Sequence, residues 1–500
     1  MIKRVLLLLL VVVMGLAVAV VANTWRTESR QLHVPAVQLP AVDADAAASR
    51  LSGAIAFRTI SSADDAKLNS EEFAKLHAYL EKSFPKVHAT LQREVIGGNS
   101  LLYTWKGSDA KARPIALMAH QDVVPISPGT EKDWKADPFG GEIRDGFVWG
   151  RGAWDNKSNL FSQMEAVEAL LAAGFTPSRT VYLIMGHDEE VSGVRGASAI
   201  ADTLKQRGVQ LQWVIDEGLV VTEGILAGLD SNAALIGVAE KGYATYYLTL
   251  DAPPGHSSMP PLKTAIGMMS TALARLEDKQ LPAAIRGVPA EMFETLAPEM
   301  NGVNRYLLSN LWLFRPLVQK QLEKSANTNA TMRTTTALTI MNAGNKENVI
   351  PGQAQAAVNF RLIPGDTVAQ VTQHVQQTIA NDAIRVKVGP GAVEPSPVSP
   401  TDAPGYRAIN RTVRETFRNT IVAPGLMIAG TDSRYFVPVS DAVYRFSPVR
   451  ARSEDLARFH GTNERISVAN YAEMIQFYQQ LLKNGAGPQS LAETRPMTPQ

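Results

Sequence analysis

Short apolar runs alternate with helical patterns along most of this chain, and this alternation restricts the folds that it can adopt. Three runs, at residues 114–119, 180–185 and 211–215, are apolar enough to be buried strands. Helical spacing of apolar residues separates the first two runs at 160–173 and returns near the C-terminus at 468–483. Strands that alternate with helices are typical of an α/β domain with a mainly parallel sheet. Such a sheet places functional residues beyond the carboxyl ends of its strands.

A different pattern begins near residue 236 and indicates a second structural unit. Strand-like segments occur at 243–250, 335–341, 355–362 and 384–388, with a helical pattern at 368–380 and a mostly helical stretch at 268–327. A chain of 500 residues exceeds the usual size of one domain, so we interpret this unit as an inserted α+β domain. The expected division is an N-terminal segment at 1–46, a catalytic domain in two parts at 47–235 and 393–485, an inserted lid or dimerisation-type domain at 236–392 with its helical insertion, and a tail at 486–500.

The N-terminus carries a targeting segment. Lys3 and Arg4 precede an unbroken apolar run from Val5 to Ala22, which is just long enough to span a bilayer as a helix. The run exceeds the apolar core of an ordinary signal peptide, but small residues near its end also fit a cleavage site, so an uncleaved anchor and a cleaved signal both stay open. The basic flank predicts export of the remainder. The catalytic domain is expected outside the cytoplasm, anchored to a membrane, or periplasmic or secreted after cleavage.

Charge and cysteine content exclude several classes of function. The chain has 49 Lys and Arg against 48 Asp and Glu, so it lacks the basic surplus of a nucleic-acid binder. It has no cysteine, which rules out disulfides, thiolate nucleophiles and cysteine-held metals. Any metal must therefore be held by His, Asp and Glu.

Histidine and acidic residues gather where the predicted strands of the first domain end. HQD (120–122) follows the first run, HDEE (187–190) follows the second, and DEG (216–218) follows the third. Asp155 lies in the loop GRGAWDNK (150–157), and His460 begins the segment HGTNE (460–464). One histidine after a strand is usually only a polar loop residue. The combination matches a site for a divalent metal, zinc above all.

Two of these spacings fit metal chemistry, although Asp122 alone could be a loop carboxylate or helix cap and an arbitrary pair of adjacent glutamates usually belongs to a solvated loop. Residues two apart in an extended segment point the same way, so Asp122 can accept the free ring N–H of His120 and fix its orientation. Glu189 and Glu190 repel each other unless a cation lies beside them. One of them could then bind metal while the other acts as a general base on water.

The motifs together resemble one family. HQDVVP (120–125), GRGAWDNK (150–157), GHDEEVSGVRGA (186–197), VIDEG (214–218), GHSSMPP (255–261), NVIPG (348–352), AGTDSR (429–434) and HGTNERI (460–466) occur in the order seen in the zinc metallopeptidases that include acetylornithine deacetylase, glutamate carboxypeptidase, aminoacylase and yeast carboxypeptidase S. The resemblance covers about residues 47–485. GHDEEVSGVRGA, GHSSMPP and VNFRLIPG (358–365) are similar, more narrowly, to the carboxypeptidase S branch, which also contains the N-fatty-acyl-amino-acid synthase/hydrolase.

The resemblance implies a role for each matching residue. The implied metal ligands would hold two zinc ions, with Asp155 bridging both. His120 and Asp216 would bind the first ion, and Glu190 and His460 would bind the second. The implied catalytic residues are Glu189, Asp122 and His256. Glu189 would be the general base, Asp122 would orient the ligand His120, and His256 of the lid would stabilise the developing oxyanion. The implied substrate contacts are Arg361, which would bind the substrate carboxylate, and Asn348, Gly430 and Thr431. No family ligand corresponds to His187 or Glu217, which we interpret as supporting residues, and Arg151 is interpreted as a structural tie.

The implied activity is dizinc-dependent hydrolysis of a peptide or N-acyl amide bond next to a free carboxylate, and the same site can also run amide synthesis. The substrate would be a small peptide or an N-acyl amino acid. Other divalent metals stay open, and so does a homodimer in which a second chain supplies His256 instead of lid closure within one chain. A catalytically inactive exported binding protein on the same fold is the competing hypothesis, which the complete set of ligand positions disfavours.

The helical stretch at 268–327 has more apolar residues than a small lid needs. We interpret it first as a helical core of its own, with Trp312 in that core. The sharper hypothesis is that part of the stretch lines an apolar groove for a long acyl chain. Each buried CH₂ of that chain would then add about 0.8 kcal/mol of binding.

Overall fold

The predicted apolar runs form the centre of an eight-stranded sheet. In the computed structural model, which describes residues 1–488, the first two runs are the strands Ile115–His120 and Val181–Gly186, and they pair in parallel. The third strand, Trp213–Thr222, pairs in parallel with the first. The prediction that this third strand ends at Ile215 is wrong, because it continues through the acidic pair that was expected to follow it.

The helices and strands of the described residues are bounded as follows. The helices are α1 (Ile2–Arg26), α2 (Ala44–Ile55), α3 (Ser70–Ser83), α4 (Pro85–Thr90), α5 (Lys157–Ala172), α6 (Ala197–Gln206), α7 (Ala265–Asp278), α8 (Val288–Leu296), α9 (Gly302–Ser309), α10 (Leu311–Leu322), α11 (Ala326–Met332), α12 (Val368–Ile379), α13 (Pro404–Thr416) and α14 (Val468–Ala486). The strands are β1 (Gln92–Ile96), β2 (Ser100–Trp105), β3 (Ile115–His120), β4 (Ile143–Arg144), β5 (Phe147–Trp149), β6 (Val181–Gly186), β7 (Trp213–Thr222), β8 (Asn232–Glu240), β9 (Gly242–Asp251), β10 (Gly255–His256), β11 (Thr335–Ala343), β12 (Val349–Ile350), β13 (Gln353–Leu362), β14 (Ile384–Val388), β15 (Thr420–Met427), β16 (Val443–Ala451) and β17 (Arg465–Ser467).

The large sheet has the strand order β1-β2-β6-β3-β7-β16-β8-β15. Its central strands β6, β3, β7 and β16 run parallel to one another, and β8 runs parallel to β15 but antiparallel to β7 and β16. The antiparallel pairs β1–β2 and β2–β6 lie at one edge. The expected α/β domain with a mainly parallel sheet is confirmed. Because β3, β6 and β7 are parallel, the polar residues at their carboxyl halves meet on one side of the sheet.

The two predicted helices of this domain cover one face of the sheet. Leu160 and Met164 of α5 and Met474 and Ile475 of α14 are buried in one core with the sheet residues. Full burial of each such side chain contributes about 1.5–3 kcal/mol. The first turn of α5 starts two residues after Asp155, so this packing also fixes one end of the loop that carries that carboxylate.

A second, antiparallel sheet has the order β11-β13-β9-β14, which accounts for the strands predicted after residue 236. Burial alternates along β9, as predicted for a half-exposed strand. Helices α7 and α12 pack on the buried face. The strand β8 crosses the expected domain boundary at residue 236 and pairs within the large sheet, and the division into domains stays a prediction.

The helical stretch packs in two places. Helix α7 belongs to the second sheet, whereas α8 contacts β15 at the edge of the large sheet. The prediction that Trp312 is a core residue is wrong, since its side chain is 58% exposed. The reason is that α10 buries only one side, through Leu311 and Val318.

The two ends of the chain were predicted to lie outside the domains. Among the described residues, α1 alone is long and apolar enough to cross a membrane, and its apolar stretch is not buried against the rest of the chain. The predicted tail lies outside the described residues from 489 onward.

Candidate metal centre

The Asp155 carboxylate lies between two histidines from distant parts of the chain. Its Oδ1 is 2.9 Å from Nε2 of His120, at the end of β3, and its Oδ2 is 2.8 Å from Nε2 of His460. Burial alone would raise the pKa of the Asp155 carboxyl, but the hydrogen bonds from His120 and His460 outweigh burial and hold that pKa below its ordinary value. These two contacts bring together three of the five predicted ligands.

A buried glutamate holds the loop that carries Asp155. Oε1 of Glu464 accepts the backbone N–H groups of Gly152, Trp154 and Asp155 at 2.9–3.0 Å. Its other oxygen pairs with Arg151 at 2.6 Å. This contact confirms Arg151 as a structural tie. Sequence reasoning gave Glu464 no role, although it lies within the HGTNE segment.

Asp122 positions both residues of the glutamate pair. Its carboxylate accepts the backbone N–H groups of Glu189 and Glu190 at 3.2 and 3.1 Å, and the Ser61 hydroxyl donates to it at 2.6 Å. Nδ1 of His120 is 3.3 Å from the same carboxylate and 2.9 Å from the Asp122 backbone oxygen. Asp122 therefore links the two strand ends and fixes the orientation of the His120 ring.

The two adjacent glutamates point to different parts of the cluster. Oε2 of Glu190 is 3.3 Å from Nε2 of His460, next to Asp155. Glu189 groups instead with His120 and Glu217. Burial raises the pKa of the Glu189 carboxyl well above its ordinary value, and the nearby Glu217 carboxylate adds to this rise.

A bulge in β7 turns Glu217 toward the cluster. Asp216 pairs with Arg445 and Leu219 with Phe446, so Glu217 and Gly218 are two extra residues on β7. Bulges often re-aim side chains beside active sites. Oε1 of Glu217 is 3.3 Å from Nε2 of His120, and Oε2 accepts a hydrogen bond from Asn156. Sequence reasoning treated Glu217 as a supporting residue, and its position next to Asp216 was the only available signal.

Both carboxylate oxygens of Asp216 accept hydrogen bonds from the backbone. Its Oδ1 accepts the N–H of Glu217 at 2.9 Å and its Oδ2 accepts the N–H of Ser433 at 2.8 Å. Burial raises the pKa of the Asp216 carboxyl to about 6, and that of Glu217 to about 8 with a further contribution from Asp155. The role of Asp216 as a ligand stays a prediction.

The cluster has the ligand chemistry of a divalent metal site. Ligand atoms of His120, Asp155 and Glu190 lie within 4.8 Å of one another, and so do those of His120, Glu189 and Glu217. Oε1 of Glu190 is buried without a hydrogen-bond partner in the part of the chain that the structure describes. A cation here would remove the repulsion between carboxylates and would give this oxygen a partner.

The predicted lid residues lie in the second sheet and beside it. His256, in β10, is exposed, and its Nδ1 is 2.8 Å from the Ser258 hydroxyl. Asn348 approaches the same turn, because its backbone oxygen accepts the N–H of Ser257 at 3.1 Å. The guanidinium of Arg361, in β13, lies 4.8 Å from the ring centre of Tyr243. Within residues 1–488, no hydrogen bond or ion pair joins His256 or Arg361 to the metal cluster.

The segment after β15 carries the last two predicted substrate contacts. The Thr431 hydroxyl donates to Oε2 of Glu240 at 2.9 Å and is buried, so it ties this segment to β8. Gly430 lies under Arg434, since a Cβ at this position would be 3.0 Å from a guanidinium nitrogen. Glu240 also pairs with the buried Arg445 at 2.9 Å. Sequence reasoning missed this network, because its members are far apart in the chain.

Comparison with known proteins places this site in a family. Residues 116–484 match the model of peptidase family M20/M25/M40, a span that includes every predicted ligand. The chain belongs to this peptidase family. The N-fatty-acyl-amino acid synthase/hydrolase PM20D1 of Xenopus tropicalis is 43% identical over 438 residues, which are 87% of this chain and 85% of that protein. Carboxypeptidase S of Saccharomyces cerevisiae is 31% identical over 496 residues, with 91% of this chain and 85% of that protein covered.

A solved M20 structure shares the fold. The M20 family metallo-carboxypeptidase Sso-CP2 of Sulfolobus solfataricus superposes with a TM-score of 0.65 and 18% sequence identity, over 87% of this chain and 98% of that chain. The resemblance inferred from the motifs, including the carboxypeptidase S branch, is confirmed by these relatives. This M20 protein is therefore a hydrolase that acts on C–N bonds.

Proposed function

We propose that this chain is a dizinc-dependent hydrolase of amide bonds next to a free carboxylate, with N-acyl amino acids as its main substrate class. The observation that carries the proposal is the sharing of the Asp155 carboxylate between His120 and His460. A carboxylate in this position can bridge two metals of a cocatalytic site. The N-acyl class is inferred from the 43% identical N-fatty-acyl-amino acid synthase/hydrolase, and peptides, as for carboxypeptidase S, are the second class.

The ligands of the first zinc would be His120 and Asp155 with either Asp216 or Glu217, and those of the second would be Asp155, Glu190 and His460. The geometry favours Glu217 over Asp216, because Glu217 faces His120 while both oxygens of Asp216 accept backbone N–H groups. When bound, the zinc ions would polarise the scissile carbonyl and lower the pKa of the attacking water.

Glu189 has the environment of a general base. Its carboxyl is held at the cluster by the Asp122 contact to its backbone, and burial raises its pKa. A raised pKa brings the carboxylate closer to the working pH, where proton transfer in both directions is efficient. Glu189 would take the proton of the attacking water on a carboxylate oxygen and deliver it to the nitrogen of the leaving amine.

The lid residues would complete the site on the substrate side. His256 would donate to the oxyanion of the tetrahedral intermediate, and Arg361 would bind the substrate carboxylate. Because the His256 side chain is exposed and its ring bonds only to Ser258 in the described residues, either lid closure or a second chain must deliver it. Mixing inactive His256→Ala chains with inactive Glu189→Gln chains separates the routes. Restored activity would show delivery by a second chain, and none despite proven chain exchange would show closure within one chain.

The N-terminal helix α1 supports an exported location for the catalytic domain. We assign Val5–Ala22 as an uncleaved membrane anchor with the catalytic domain outside the cytoplasm, because this stretch is unburied and follows Lys3 and Arg4. Mass spectrometry of the protein recovered from membranes would test this assignment. Loss of the first 19 or 22 residues would show a cleaved signal instead.

The activity test is a panel of amide substrates. Purified protein is incubated with N-acyl amino acids of increasing chain length, with dipeptides, and with N-acyl amino acid amides as the control without a free carboxylate. We expect hydrolysis of the long-chain acids, loss of activity with a chelator, recovery with zinc, and little turnover of the amides. Best activity on dipeptides would assign peptides as the substrate class. No hydrolysis of any member would contradict the proposed activity.

A further inference from the structure

One buried side chain joins the end of α1 to the helical insertion. Asn310 is fully buried, donates to the Thr24 hydroxyl at 2.8 Å and accepts from the Asn23 amide at 3.1 Å. Asn23 also donates to the backbone oxygen of Ser309 at 2.7 Å. Loss of such a contact would leave buried polar groups without hydrogen-bond partners, which is unfavourable. The C-terminal turn of α1 is therefore part of the folded body.

The rest of α1 extends away from that body. Thr24 is the buried residue of this helix, and the apolar stretch before it is not buried against the rest of the protein. If Val5–Ala22 spans a bilayer, the membrane surface begins within one helical turn of Thr24. The Asn310 contacts then fix the start of α10 close to this surface.

Helix α10 presents an apolar surface at this place. Trp312 donates from Nε1 to Oδ1 of Asn310 at 3.1 Å, and its side chain is 58% exposed. Leu317 is also 58% exposed, on the side of α10 away from the buried Leu311 and Val318. Trp25, at the end of α1, is 71% exposed. Tryptophan is enriched where proteins cross the membrane–water interface.

The same segment is basic. Between residues 302 and 324 the charged side chains are Arg305, Arg315, Lys320 and Lys324 against Glu323 alone, and Glu323 pairs with Arg333 at 2.9 Å. The guanidinium of Arg305 lies 5.6 Å from the ring centre of Trp25. A helix with exposed apolar residues and excess positive charge is attracted to anionic headgroups.

We propose that α10 and Trp25 form a membrane-contact surface, in which Trp312 and Leu317 enter the headgroup region of the bilayer that α1 spans. The partner is a lipid bilayer with anionic headgroups. The proposal rests on the membrane anchor assigned above and is independent of the substrate class. It differs from the acyl-groove hypothesis, since lipid rather than a bound substrate covers Trp312.

The absence of cysteine makes a site-specific test simple. Single-cysteine variants of the full chain are labelled with an environment-sensitive fluorophore and reconstituted into vesicles of phosphatidylcholine and phosphatidylglycerol. Leu317→Cys and Arg315→Cys report on α10, and Val12→Cys reports on the anchor. Val95→Cys is the matched control, because Val95 is exposed on β1, at the sheet edge opposite the one that α8 packs against. Nitroxide lipids quench the label either at the headgroup or in the middle of the acyl chain.

We expect headgroup nitroxides to quench most of the emission at Leu317→Cys and Arg315→Cys, and acyl-chain nitroxides to quench Val12→Cys. Val95→Cys should be quenched by neither lipid, and all four variants should unfold at the wild-type temperature. Quenching at Val12→Cys with none at the two α10 positions would overturn the contact surface and leave the anchor intact. Lack of quenching at Val12→Cys as well would overturn both. The measurement does not use amide hydrolysis, so failure of the membrane-contact proposal can be distinguished from failure of the proposed hydrolase activity.

Discussion

Glu464 accepts the backbone N–H of Asp155 at 3.0 Å and is fully buried. The same carboxylate pairs with Arg151 at 2.6 Å, which is also buried. Glu464 therefore holds the loop of the central carboxylate although its own oxygens contact no predicted ligand side chain. The geometry of the metal centre depends on this support as much as on the ligands themselves.

Replacing Glu464 should reduce both stability and metal binding. Removal of one member of a buried ion pair costs about 3–5 kcal/mol, because the remaining charge is left unpaired. We expect this loss in the urea unfolding of metal-free Glu464→Ala, together with weaker zinc binding. Glu473→Ala is the control, since its pair with Arg450 is partly exposed and should be worth about 1 kcal/mol or less. Equal losses in the two variants would argue against a special role for Glu464.

The Glu189→Gln variant should separate metal binding from turnover. The amide keeps the shape of the side chain but cannot accept a proton, so we expect kcat to fall by about 10²–10⁴-fold. Zinc content, measured by elemental analysis, should equal that of wild type. A variant with nearly normal kcat would remove Glu189 from the mechanism.

Two further variants decide which acidic residue of β7 completes the first zinc site. We expect Glu217→Gln to lose one of the two zinc ions, because its carboxylate faces His120. Asp216→Asn should keep both ions and lose stability, because its carboxylate holds two backbone N–H groups. The reverse result, with zinc lost from Asp216→Asn alone, would assign the ligand role to Asp216.

The metal-free protein should lose stability as the pH rises. Burial raises the pKa of Glu217 from 4.5 to about 8, and hydrogen bonds with Asp155 and Glu190 raise the pKa of His460 from 6.5 to about 10. In both cases the folded state holds its proton to higher pH than the unfolded state, so stability present at low pH is lost as pH rises through these ranges. The lowered pKa of Asp155 acts only below this window.

Zinc should reduce this loss because it favours ionised carboxylates and neutral imidazoles. The unfolding temperatures of the zinc-loaded and metal-free protein, compared between about pH 5 and pH 9, should therefore diverge as the pH rises. In the Glu217→Gln variant, the difference in unfolding temperature between the zinc-loaded and metal-free protein should grow less with pH. A difference that becomes smaller as the pH rises in wild type would contradict the proposed ligand set.

The pattern of apolar residues was sufficient to predict the strands at the centre of the fold. β3 and β6 lie where period and length indicated, because buried parallel strands require continuous apolar runs. The pattern failed at β7, where the strand continues through Asp216 and Glu217. A bulge depends on pairing with β16, far along the chain, and no local signal shows it.

The centre of the site was predictable for a related reason. His120 ends β3 and Asp155 lies just before α5, two elements that the local apolar pattern predicts. His460 was predicted from the order of the motifs. The supporting contacts of Glu464, and the exposure of Trp312, depend on neighbours from distant segments. Sequence patterns give the type of a residue at such positions and not the groups around it.

Zinc titration of metal-free protein, followed by hydrolysis of a long-chain N-acyl amino acid, tests the central claim most directly. We expect wild-type activity to be absent without metal and to reach its maximum at two zinc ions per chain, with Asp155→Ala inactive at every zinc concentration. Full activity of the metal-free enzyme, or wild-type activity in Asp155→Ala, would contradict a dizinc hydrolase built around the Asp155 carboxylate.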